Sequence, residues 1–98
     1  MKVSDMRSVY MLERVWDDGT SKPLMVSDQA EPIDNELNVI TEKLKEYYGR
    51  AEQVYKGWDT RGGYSRISVF YGPPEALREQ EYRVWILDFT PDDVKVPA

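Results

Sequence analysis

The chain contains neither cysteine nor histidine among its 98 residues. Without cysteine there is no disulfide to staple a small domain and no thiolate to attack, ligate or sense. Without histidine the Ser-His-Asp and Cys-His catalytic arrangements fall away, along with nearly all zinc sites and any simple proton switch near pH 7. Long apolar runs are missing too, since nothing approaches the roughly 18 apolar residues of a membrane span. The opening "MKVSDMRSVYMLERVW" lacks the unbroken apolar centre of a signal peptide. A cytoplasmic protein with no membrane contact is expected.

Catalysis would therefore have to use carboxylates, tyrosine, lysine or a hard metal ion. The adjacent acids Asp17-Asp18 and Asp92-Asp93 read as a turn and a tail, where two carboxyls do not face each other across a cleft. Asp28, Glu31 and Asp34 do not have the spacing of a calcium-binding loop. The "RGG" at Arg61 to Gly63 has too few glycines, in the wrong frame, for a phosphate loop or a dinucleotide fingerprint. The expectation is a protein that is not an enzyme and takes no metal or cofactor.

What is present describes an ordinary soluble domain, 41% hydrophobic and 32% charged. A single core serves a chain of this length, so residues 1–98 form one domain, with a tail from about 91 to 98 expected to fray. The formal charge of −5 is concentrated: six acids against Lys22 alone lie between Asp17 and Glu36, and the remaining acids and bases cancel. Part of this is turn and helix-start chemistry. A sharper reading makes Asp17, Asp18 and Glu31 part of a docking patch that steers toward a basic partner. The same acids could instead imitate nucleic-acid phosphates.

Ser8 to Trp16, rich in β-branched and aromatic residues, reads as a strand, with Asp18-Gly19 as a two-residue hairpin turn. The return strand, about Pro23 to Ser27, belongs at a sheet edge because proline offers no ladder donor. Ile33, Leu37, Ile40 and Leu44 recur at helical spacing, with Tyr47 or Tyr48 continuing the stripe. This predicts an amphipathic helix from about Asn35 to Tyr48, capped by Asp34 and stopped by Gly49. About Glu52 to Asp59 and Tyr64 to Tyr71 form a second hairpin. The last strand, Tyr82 to Phe89, is apolar on both faces and so belongs at the centre of the sheet. The fold class is α+β: an antiparallel sheet of about five strands in ββαβββ order, with one amphipathic helix across one face.

If Gly62-Gly63 is a two-residue turn, Asp59 lies beside Arg66, Trp58 beside Ile67 and Tyr55 beside Phe70. One face then carries Val54, Trp58, Ile67, Val69 and Tyr71, with Trp58, Ile67 and Val69 in the interior. The other carries Tyr55, Asp59, Arg61, Tyr64, Arg66 and Phe70, a mixture of aromatics and arginine of the kind enriched where proteins meet partners. The remaining strands add a second apolar set: Trp85, Leu87 and Phe89, with either Tyr10, Leu12 and Trp16 or Val9, Met11 and Val15. One helix of about 20 Å cannot shield both sets. Either the sheet closes into a barrel-like roll or its spare face meets another chain.

The functional expectation is a small noncatalytic acidic binding protein, of the inhibitor, immunity or virus-encoded anti-defence kind. Its partner-binding residues would be Tyr55, Arg61, Tyr64, Arg66, Phe70, Asp17, Asp18 and Glu31. A homo-oligomeric accessory subunit, such as a homodimer, is the alternative. A nucleic-acid module using the aromatic hairpin is disfavoured, because the balance from Arg50 to Arg66 is only +2 within an acidic whole.

Overall fold

Ile33 and Leu37 are buried and Ile40 and Leu44 are half-buried on one side of a helix, α1 (Ala30–Tyr48), while Glu42, Lys43, Lys45 and Glu46 face solvent. The computed structural model describes residues 7–89. The paired acids Asp92-Asp93, the tail from 91 to 98 and the side chain of Phe89 lie outside the described residues. Around α1 run the strands β1 (Arg7–Val15), β2 (Ser21–Ser27), β3 (Ala51–Asp59), β4 (Tyr64–Tyr71) and β5 (Arg78–Phe89). A 3-10 turn at Pro74–Ala76 leads into β5.

The strands form one antiparallel sheet in the order β2-β1-β5-β4-β3, so β5 is central and β2 and β3 are edges. The sheet is open, which removes the barrel-like roll from consideration. Pro23 does lie on the edge strand, and the β1–β2 register slips between Leu12 and Glu13, beside it. Leu12, Ile67, Val69 and Tyr82 meet Ile33 and Leu37 in a single core, with Tyr10, Met25 and Val84 packed around it. Each fully buried aliphatic side chain contributes roughly 1.5–3 kcal/mol of transfer free energy.

The helix begins about one turn earlier than its sequence suggests. Gln29, not Asp34, is the N-cap, and Pro32 stands in the first turn. Proline is harmless there, because the first amides of a helix have no intrahelical acceptor to lose. The end is as expected: Gly49 adopts φ 82° and donates its amide to the Lys45 carbonyl. Tyr48 stacks on Tyr71 of β4, with ring centroids 4.9 Å apart, whereas Tyr47 points to solvent.

Both hairpin loops are longer than two residues. Trp16 and Thr20 close the first loop around Asp17, Asp18 and Gly19, and the Thr20 hydroxyl and amide donate to Asp18 Oδ1 at 2.6 and 2.9 Å. The hydroxyl first, and then the amide, hold the Asp18 carboxyl below its usual range. In the second loop Asp59 pairs with Tyr64, and Asp59 Oδ1 accepts the amides of Arg61 and Gly62, both at 2.9 Å. That carboxyl is also lowered, chiefly by the Gly62 amide.

The second hairpin departs further from expectation within β3. Asp59 pairs with Tyr64, Trp58 with Ser65 and Gly57 with Arg66, and the ladder then slips so that Tyr55 meets Ile67 and Val54 meets Ser68. The slip is a bulge at Lys56, next to Gly57, whose φ of 129° suits glycine. One extra residue reverses the alternation, so Val54 and Tyr55 exchange the faces expected for them. Trp58 is on the helix side, but at the sheet edge it remains 44% exposed rather than interior.

Candidate functional site

α1 is the only α-helix among the described residues, and it covers one face of the sheet. The pairings place the residues of the opposite, bare face. Met11 pairs with Val26 on one side and Trp85 on the other, and Trp85 in turn pairs with Tyr64, giving a continuous row across four strands. The next row toward the β3–β4 loop adds the pair Val9 and Leu87. Together these side chains form an apolar band, with Val26 63% and Leu87 47% exposed and the rest half-buried.

The band is held in place from within. Tyr64 and Trp85 lie with ring centroids 4.7 Å apart, and the Arg83 guanidinium sits 4.8 Å from the Tyr64 ring. Trp85 Nε1 donates to Glu13 Oε1 at 3.0 Å. Gly62 makes room for the tyrosine: a Cβ there would lie 2.1 Å from Tyr64 Cε2. Beside the band runs a charged row in which Arg83 pairs with Glu13 and with Arg66. Arg83 also approaches Glu81 at 4.0 Å, while its Nε is buried without a hydrogen-bond partner. Farther along, Ser68 is fully buried and donates to Glu79.

Of the residues singled out from sequence, Tyr64 and Arg66 lie on this face as expected. Phe70 shares it but stands six residues along β4 from Tyr64, about 20 Å away at strand rise. It lines a separate depression of about 180 Å³ with Leu77, Arg50 and Glu52, and Lys56 Nζ lies 5.1 Å from its ring. Tyr55 is on the helix side, 63% exposed at the sheet edge, because of the bulge. Arg61 belongs to the β3–β4 loop and to neither face.

The acidic stretch does not assemble. Asp17 and Asp18 occupy the β1–β2 loop and Glu31 the first turn of α1, with the seven residues of β2, about 23 Å, between them. Val26 and Arg83 were not singled out from sequence, because neither stands out without knowing which strands are neighbours. Among the described residues, no group of three or more acids is placed to share a metal ion. No helix there is long and apolar enough to cross a membrane.

No family model matches this chain, and no curated protein or solved structure matches it either.

Proposed function

We propose that this is a noncatalytic binding protein that acts by laying the bare face of its sheet on another protein, in the manner of an inhibitor. The observation that supports this is the apolar band of Val9, Met11, Val26, Tyr64, Trp85 and Leu87, contributed by four strands and covered by no other element among the described residues. A sheet face that meets only water is polar, and across this band it is not. The Tyr64–Trp85 pair, with Arg83 on the tyrosine, would bind already ordered, which lowers the entropy lost on association. Tyrosine, tryptophan and arginine are also the side chains that most often dominate binding energy. Glu13, Arg66 and Arg83 beside the band would set the orientation of the partner, and the overall charge of −5 favours approach to a surface of opposite sign.

The test begins with capture from cells of the organism that encodes the protein, using the native chain and the variant Val26→Asp with Leu87→Asp. Both positions are exposed enough for the fold to survive. The captured partner is then purified in complex, and oxidative footprinting reads Met11, Tyr64 and Trp85. The expected outcome is a partner lost from the variant, with those three side chains protected in the complex. A partner that binds the variant equally well, or that leaves them reactive, overturns the proposal. Light scattering on the protein alone covers the other occupant: a dimer with this footprint would assign the face to a second copy of the chain.

A further inference from the structure

The helix crosses its own face obliquely and leaves the corner beside the β1–β2 loop open. α1 starts beside the end of β2 and finishes beside the start of β3, so the parts of β1 and β2 nearest their hairpin loop are not beneath it. The result is a groove of about 510 Å³ between the second half of α1 and this corner, within the size range of small-molecule clefts. Three cations line it from three elements: Arg14 on β1, Lys22 on β2 and Lys43 on α1. Among the described residues, Glu36 is the only acid on its walls. Trp16, Leu24, Ile40, Leu44 and Tyr82 supply its apolar surface.

Arg14 is the unusual group. It is half-buried, its Nε is shielded without a hydrogen-bond partner, and its guanidinium lies 4.8 Å from the Trp16 ring. Among the described residues, no carboxylate lies within ion-pair distance of Arg14, Lys22 or Lys43, although the chain carries a net charge of −5. Asp17, Asp18 and Glu79 border a second depression that Arg14 also lines, yet none of the three pairs with it. A partly desolvated cation without a counter-charge is costly, and an anion entering the groove would relieve that cost.

We infer that this groove binds a small amphipathic carboxylate, its head on Arg14 and its apolar body along Trp16, Leu24 and Leu44. With Nε enclosed, the guanidinium is left to present its terminal nitrogens, a fork that matches the two oxygens of a carboxylate. Lys22 and Lys43 flank it as point charges. Glu36 disfavours a dianion such as a phosphate monoester, which it would repel more strongly than a single negative charge. The site lies on the opposite side of the sheet from the apolar band and is independent of it.

The experiment is a titration of the full chain with decanoate below its micelle concentration, followed by isotope-edited NMR, with decanol and acetate as controls. The expected result is saturable binding of one decanoate, with shifts at Arg14, Lys22 and the second half of α1. Decanol, which lacks the charge, and acetate, which lacks the body, should each bind at least about tenfold more weakly. Arg14→Met keeps the packing of the stem and should weaken decanoate at least about tenfold. Lys22→Gln with Lys43→Gln changes only exposed positions, so it reports even if the Arg14 variant unfolds, and a loss of about threefold or more is expected. Absence of saturation, equal binding of decanol, shifts confined to Met11, Trp85 and Leu87, or a lysine pair that binds like the native chain would each overturn the inference.

Discussion

The two faces of this sheet are built from similar side chains, but α1 covers only one of them. On the helix side Leu12 has no exposed surface, while Val26, one residue from its cross-strand partner Met25, is 63% exposed on the bare side. Hydrophobicity therefore does not decide which residues form the core of this domain. The position of α1 decides it, because Ile33 and Leu37 can cap only the face on which the helix lies. The bare face holds its aromatics by mutual stacking and by Arg83 and Glu13, which keeps the band ordered without burying it.

The contrast is broken most severely by removing the helix's contribution. Leu37→Ala deletes a fully buried side chain and should cost about 2–5 kcal/mol, a large part of the stability of a domain this small. Val26→Ala, on the bare face, should change stability by less than about 0.5 kcal/mol. Urea unfolding followed by circular dichroism measures both. If the two variants lost similar stability, the bare face would be carrying load within the monomer and the asymmetry would fail.

An alkaline titration sharpens the same comparison on the helix side. Burial raises the pKa of Tyr82, whose hydroxyl donates to Gln80. The unfolded chain then loses this proton first, at about pH 10, while the folded chain still holds it. Above that pH the unfolded state binds fewer protons, so stability is complete below about pH 10 and falls as pH rises through the folded-state value. Tyr82→Phe should lower stability at neutral pH, by about 1 kcal/mol for the lost hydrogen bond, yet flatten the alkaline decline. Melting temperatures from pH 8 to 11 read the slope. An unchanged slope would mean that this hydroxyl is not the group being titrated.

Much of this arrangement was legible in the sequence. The alternation in β4 put Ile67 and Val69 inside and Tyr64, Arg66 and Phe70 outside, the apolar run of β5 marked the central strand, and Pro23 marked an edge. Errors arose where the count of residues, rather than their type, decides the geometry. Asp59 takes two loop amides and so lengthens the turn, and the bulge at Lys56 reverses the parity of everything before it in β3. Gly57 was the available signal, since an isolated glycine within a strand often marks a bulge. The groove at Arg14 left no such trace, because it depends on the angle at which α1 crosses the sheet. The apolar band depends likewise on strand order: Met11 and Tyr64 become near neighbours only once β5 lies between their strands.

The smallest perturbation separates the order of the bare face from its composition. Gly62→Ala leaves every residue of the apolar band in place, but the new Cβ claims space held by Tyr64, 2.1 Å from Cε2. The obstacle is the outer edge of a ring, so the ring can swing away while the loop keeps its backbone. The cost should be about 0.5–1.5 kcal/mol, the worth of the aromatic pair with Trp85. Tryptophan fluorescence and the ring-current shifts of Tyr64 would report the displacement. Partner affinity should fall although no contacting side chain has been removed, because the band would then pay its ordering entropy on binding. If Tyr64 moves and affinity does not, the aromatic pair contributes area to the surface but no preorganisation.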